Sequence, residues 1–222
     1  MSGLLDYWSF LQQRYPDIVS AMMQHLGISL ISVALGCLVA IPLGIYLASS
    51  RHKWLQTFVF GVANLFQTIP SLALLALMIP LFGIGVKPAV IALFLYSLLP
   101  ILRNTYTGIQ SVDRGVIEAA RGMGMSRLQR MLHIELPLAF PYMMSGIRIT
   151  TVYIISWTTL ASMIGAGGLG LLIFSGMGVN NVHLIVSGAV AAIALALLVD
   201  FVLGKLEKIA FKRETRIAQQ RA

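Results

Sequence analysis

LGISLISVALGCLVAIPLGIYLA, residues Leu26 to Ala48, carries no acidic or basic side chain. A helix needs about 20 consecutive apolar residues to cross a bilayer, and this run is long enough. Within it Ser32, Gly36, Ala40, Gly44 and Ala48 recur at every fourth position. Residues four apart share a helix face, so these five lay a groove of small side chains along the span, where another helix can approach closely. Pro42 falls inside the run and is expected to kink it.

Outward from this run the whole chain has the same character. Of 222 residues, 58% are hydrophobic and 11% charged, and the mean hydropathy is +0.85. A soluble domain has about a quarter of its residues charged; too few charges remain here to cover a water-facing surface, so the apolar excess must meet lipid. The single cysteine, Cys37, lies inside the first run and acts as a small packing residue. Upstream, Met1 to Asp17 lacks the basic cluster and short apolar core of a cleaved signal. Leu4, Leu5, Trp8 and Leu11 stand at roughly helical spacing among Asp6, Gln12 and Gln13, which predicts a short amphipathic helix over residues 1–17, resting on the membrane surface.

Downstream, a basic loop Arg51-His52-Lys53 precedes a second run, about Leu55 to Phe82, long for one span and expected to bend at Pro70. Gly83, Gly85 and Pro88 mark a turn, and a third run covers about Ala89 to Leu102. A polar stretch, 103–137, follows; then a fourth run, about Phe140 to Ile164, a glycine-rich loop from Gly165 to Asn181, and a fifth run, about His183 to Leu203. The reading is all-α and integral to the membrane: five spans in one domain over 18–210, ending in a basic tail, 211–222.

Five spans put the termini on opposite sides, and basic residues choose the orientation. One side holds Arg51, Lys53, Arg103, Arg114, Arg121, Arg127, Arg130, Lys205, Lys208, Lys212, Arg213, Arg216 and Arg221; the other holds only Arg14 and Lys87, with Arg148 inside the fourth run. The N-terminus is therefore expected outside, and the tail and the polar stretch in the cytoplasm. The net charge of +8 follows from this asymmetry and does not call for nucleic acid.

In the polar stretch, Glu118-Ala119-Ala120 is followed after three residues by Gly124, and after nine more by Ile134-Glu135-Leu136-Pro137. Asp113 is placed to cap a helix beginning near Arg114, and Glu118 to Arg121 are good helix formers. Gly122 and Gly124 remove side chains so that another backbone can come close, and Pro137 is expected to end any second helical segment before the fourth span.

The pattern EAA, three residues, Gly, nine residues, I-x-L-P resembles the signature of permease subunits of binding-protein-dependent ABC importers. That resemblance implies the five-span type I importer fold of methionine permeases. It also implies an ATPase-coupling role for Glu118, Ala119, Ala120, Gly122, Gly124, Ile134, Leu136 and Pro137. The implied partners are a cytoplasmic ABC ATPase dimer that uses ATP and Mg, an extracytoplasmic solute-binding protein and a second permease copy or homologue, all at a bacterial cell membrane. Gln67-Thr68-Ile69-Pro70-Ser71-Leu72-Ala73, Leu98 to Thr105, and Ile164 to Gly170 are similar to the branch that imports glycine betaine, carnitine or choline; methionine and other small-solute importers share the five-span plan.

No G-x-x-x-x-G-K-[ST] segment occurs, so energy must come from a partner. Gly165, Gly167 and Gly170 fit G-x-G-x-x-G, but after a span rather than a strand, which favours a tight loop over a dinucleotide site. His25, His52, His133 and His183 lack metal-ligand spacing, and no nucleophile–base constellation is visible. Neither a bound cofactor nor catalysis is expected of this chain. Polar residues inside spans either bond other helices or line a route between two permease subunits. The candidates for the route are Asn64, Gln67, Thr68 and Ser71 on the second run and Tyr153, Ser156 and Trp157 on the fourth. A quaternary ammonium donates no hydrogen bond and is held by aromatic faces; Tyr153 and Trp157, four apart, are the candidates for that. Arg148 is expected to snorkel or to attract a solute carboxylate, the former favoured, and Asp200 to pair with a lysine such as Lys205. The rivals are an ion-coupled carrier or channel, which would keep charges deep in the spans or show inverted repeats, and a non-transporting scaffold.

Overall fold

A computed structural model describes the backbone of residues 2–219 and the side chains of residues 6–208. The side chains of Leu4, Leu5 and the basic tail 211–222 lie outside the described residues. The helices are α1 (Ser2–Ser49), α2 (Lys53–Thr68), α3 (Ser71–Phe82), α4 (Val86–Gln110), α5 (Arg114–Gly122), α6 (Arg127–Arg130), α7 (Leu136–Ala161), α8 (Leu169–Gly178) and α9 (Val182–Gln219). Four helical stretches, in α1, α4, α6–α7 and α9, are long and apolar enough to span a bilayer. The pair α2–α3, bent by 99° at its break, supplies the fifth.

The small-residue groove does what its spacing predicts. α4 lies against it: a Cβ at Gly44 would come within 2.9 Å of Thr105 Cβ, and one at Gly36 would collide with Ser97. The opposite side of α4 repeats the device against α7. A Cβ at Gly108 would reach 2.8 Å from Tyr142 Cβ, and one at Gly146 would strike Asn104. α1, α4 and α7 therefore form a close-packed slab, with Leu47, Leu93, Ile101, Leu102 and Ile154 fully buried. α8 and α9 pack beside it, and α2–α3 flank α4.

Four expectations are corrected. The N-terminal segment is not a separate helix: α1 runs unbroken from Ser2 through Pro16 to Ser49. Its 48 residues reach about 70 Å at 1.5 Å per residue, and the rings of Tyr7 and Phe10 meet His183 at a tilt with centroids 5.6 Å apart. The expected glycine-rich loop contains a helix, α8, of 10 residues. The polar stretch begins inside α4, which continues to Gln110. Pro137 does not stop a helix. α6 passes through a π-helical turn, Met131–Glu135, into α7, where Pro137 sits in the first turn. The wider turn, with Leu136 N–H donating to Met131 C=O, lets the chain accommodate a residue that has no N–H of its own.

Candidate functional site

Two places gather the candidate residues. The first is the elbow at one end of the bundle. Asp113 caps α5 as expected, its carboxylate accepting from Val116 N–H at 3.2 Å. The helix closes on Gly124, whose φ of +79° is left-handed, with Met123 N–H and Gly124 N–H returned to the carbonyls of Ala119 and Arg121 at 3.0 Å. Ser126 and Gln129 then form a reciprocal capping box that starts α6. Ala120 is fully buried, while Glu118, Ala119, Gly122 and Gly124 are exposed. So are Val116, Met123, Leu128 and Leu132, Met123 at 73%. Ile134 and Leu136 are half-buried and Pro137 exposed, at the base of the elbow. Nothing lies within 4 Å of a Cβ built on Gly122 or Gly124. The elbow is thus capped or hydrogen-bonded at each turn, yet bare on its outer face.

The elbow is tied back to α1. The last carbonyls of α1 have no partners within their own helix. Gln56 Nε2 donates to Leu47 and Ser50 C=O at 3.1 Å, Gln110 Nε2 to Ala48 C=O at 2.9 Å, and Arg127 to Ser49 C=O. Residues from α2, α4 and α6 converge on one helix end. Close by, Arg130 pairs with Glu135 at 3.4 Å.

The second place is a half-open cleft of about 210 Å³ between three helices, lined by Gln67 of α2, Tyr96 and Pro100 of α4, and Thr150, Tyr153, Ile154 and Trp157 of α7, with Tyr153 exposed. Of the residues proposed for a route, Gln67, Tyr153 and Trp157 come together here. Asn64, Thr68, Ser71 and Ser156 do not: Thr68 and Ser156 bond their own helix, at 2.7 and 3.1 Å, Ser71 begins α3, and Asn64 is exposed.

Tyr96, absent from the sequence candidates, is central. Its ring meets Trp157 edge-on with centroids 4.2 Å apart. Its hydroxyl donates at 2.6 Å to Ile69 C=O, a carbonyl that the break at Pro70 leaves without a helical partner, and its own carbonyl accepts from Gln67. Broken backbone at membrane depth survives only where such partners exist. The signal in the sequence was indirect: a helix break in one span demands a donor from another. Aromatic faces of this kind are able to hold a cation that donates no hydrogen bonds, and among the described residues no carboxylate lines this space.

Arg148 neither snorkels alone nor waits for a solute. Its guanidinium grips Asp200 in a bidentate pair at 2.7 and 2.8 Å and reaches Glu207 at 2.9 Å, binding α7 to α9. Gly204 makes room: a Cβ there would lie 2.9 Å from the guanidinium carbon. Lys205, the expected partner of Asp200, instead covers the Phe201 ring at 4.4 Å.

Residues 40–212 match the family described as binding-protein-dependent transport system inner membrane component. The chain is 49% identical to the carnitine transport permease protein OpuCB of Listeria monocytogenes, over 90% of each. It is 48% identical to the choline transport system permease protein OpuBB of Bacillus subtilis, covering 90% of this chain and 91% of that protein. With the osmoprotectant import permease protein OsmW of Salmonella typhimurium it shares 45%, covering 92% and 97%. An inward-facing MetNI methionine ABC transporter structure superposes with a TM-score of 0.81, at 24% identity over 87% of this chain and 95% of that one, a likeness of fold. The all-helical, five-span slab and these matches agree: the chain belongs to the inner-membrane permease components of binding-protein-dependent ABC transport systems.

Proposed function

We propose that two such permeases form the path by which a small quaternary-ammonium solute of the glycine betaine, carnitine or choline type enters the cell, driven by a separate ATPase. The observation that carries this is the cleft of Tyr96, Tyr153 and Trp157, whose aromatic faces suit a methylated ammonium, joined to the solutes named in the relatives. Contact there is weak and transient, as a path requires.

The elbow supplies the coupling. Val116, Met123 and Leu128 are exposed on an otherwise arginine-rich protrusion, a combination that a docking partner covers. Glu118, Ala119, Ala120, Gly122 and Gly124 form the docking helix and its turn; Ile134, Leu136 and Pro137 join it to α7. The elbow and the basic tail face the cytoplasm and the N-terminus faces outward, with 1–17 meeting the solute-binding protein's side. ATP and Mg are bound by the ATPase dimer. Closure of that dimer pushes on the elbows, and the packed slabs rock between outward and inward openings.

The test is uptake into proteoliposomes holding the permease, its ATPase and its binding protein. Labelled carnitine, choline and glycine betaine are compared with methionine. Replacing Tyr96, Tyr153 and Trp157 together with leucine is expected to lower uptake at least tenfold while ATPase association persists. Undiminished uptake by that variant refutes the aromatic path; preference for methionine refutes the solute class.

A further inference from the structure

Where α1 ends, the surface opens into a hollow of about 540 Å³. Arg51 and His52 enter it from the α1–α2 turn, Arg121 from α5, and Arg127 and Arg130 from α6. Among the described residues no carboxylate lines it; Glu135, paired with Arg130, stands outside the lining. Glu135 offsets Arg130, and Arg127 is held on Ser49 C=O but keeps its charge, so among the described residues Arg51, Arg121 and Arg127 face the hollow without a carboxylate of their own; like charges sharing one space repel, and an anion relieves that repulsion. Guanidinium forks match phosphate oxygens in pairs.

The same hollow sits at the boundary between apolar and polar sequence. Tyr46, which lines it, and Trp54 beside it are 58% and 69% exposed, as aromatic residues are at the headgroup level of a bilayer. A second cavity, of about 200 Å³ and with no polar lining, opens between α1 and α2 on the floor of α4. Val39 and Leu43 face Phe58, Val62 and Phe66 across it. Val39, Leu43, Tyr46 and Ser50 follow one another at intervals of four, three and four, so one face of α1 runs from the apolar cavity to the arginine hollow. At 1.5 Å per residue, Leu43 and Val39 lie about 5 and 10 Å from Tyr46 along the helix, the direction and depth of the first acyl carbons below a headgroup.

We propose that this groove holds a phospholipid of net negative charge, its phosphate in the arginine hollow and an acyl chain in the α1–α2 cavity. A free phosphate would need only the arginines. An acidic segment of a partner protein would leave the adjoining apolar cavity unexplained. The lipid bridges the α1–α2 turn to α5 and α6, and its binding does not depend on which solute the permease carries.

The experiment measures binding of labelled phosphatidylglycerol and phosphatidylcholine to the purified full-length chain in detergent. Phosphatidylglycerol is expected to bind at least tenfold more tightly. The pair Arg51→Gln with Arg121→Gln lowers that affinity at least tenfold, whereas Arg51→Lys with Arg121→Lys retains most of it. Val62→Trp, which fills the apolar cavity, weakens the lipid severalfold and leaves the millimolar binding of glycerol 1-phosphate unchanged. Equal affinity for the two lipids, or full binding by the glutamine pair, overturns the proposal. Competition by glycerol 1-phosphate at the affinity of the lipid identifies a soluble-phosphate site instead. Stoichiometric displacement of the lipid by the ATPase assigns the hollow to that protein.

Discussion

The middle of α1 and its last turn are both held by side-chain to backbone hydrogen bonds, but in opposite ways. At Gln24 and His25 the side chains are neutral and bond buried backbone; His25 is itself fully buried, Gln24 exposed. Gln24 donates to Ala166 C=O at 3.2 Å and accepts from Gly168 N–H at 3.1 Å. His25, fully buried, accepts from Leu169 N–H through Nδ1 at 3.3 Å, so its proton is on Nε2, which donates to Ile155 C=O at 2.8 Å. These bonds pin the loop in which Gly165, Gly167 and Gly168 take φ of +76° to +79°. At the C-terminal end of α1, Gln56, Gln110 and Arg127 hold the carbonyls of Leu47 to Ser50 from exposed or half-buried positions among arginines. The first site is finished within the chain. The second is satisfied in its backbone but leaves arginines and apolar side chains exposed beside it, as the proposed docking surface requires.

The contrast breaks most readily at His25. Leucine there strands the buried Leu169 N–H, the first donor of α8, and removes the bond to Ile155. A loss of about 2–4 kcal/mol is expected, read as a large fall in the thermal midpoint of the detergent-purified chain. Gln110→Ala removes one of several exposed ties and is expected to lose only about 1 kcal/mol. Equal shifts for the two variants would erase the distinction between the two sites. Met123→Glu sharpens it from the other side: an exposed substitution moves stability by no more than about 0.5 kcal/mol. ATPase stimulation and uptake should nevertheless fall at least tenfold, since a charge lands on the apolar docking face. A Met123 variant that unfolds, or one that transports normally, contradicts the docking role.

How much of this was legible depended on whether the cause lay within one helix or between two. The spans, the break at Pro70, the cap at Asp113 and the small-residue groove are local patterns, and the structure has each of them, although α1 and α4 run past the expected bounds and α8 fills part of an expected loop. The resemblance carried by Glu118 to Pro137 led to the right family. What stayed hidden was pairwise. Asp200 had a lysine five residues away in sequence, but Arg148 was nearer in space because α7 and α9 pack there. Nothing local marks Tyr96; its role depends on the broken α2–α3 pair, which supplies the carbonyl it bonds. Pro137 promised a stop, and a π turn absorbed it. Of the route candidates, residues on one helix face were grouped by spacing alone, and spacing cannot tell which of them a second helix will cover.

The smallest expected effect separates two reasons for a glycine. Gly124 has a left-handed φ, so its own chain explains it: Gly124→Asn, which tolerates that conformation, should be nearly neutral, and Gly124→Ala should cost about 1 kcal/mol. Gly122 is different. It is helical, and nothing in the chain lies within 4 Å of where its Cβ would be, so alanine there should stabilise α5 by roughly 0.5–1 kcal/mol. If a docking partner's backbone comes close at that point, the same change should lower the apparent affinity for the ATPase, measured by co-purification at graded ATPase concentrations. Stability and coupling then move in opposite directions at Gly122 and together at Gly124→Ala. If Gly122→Ala improves both, the turn needs no close approach, and docking rests on Val116, Met123 and Leu128 alone.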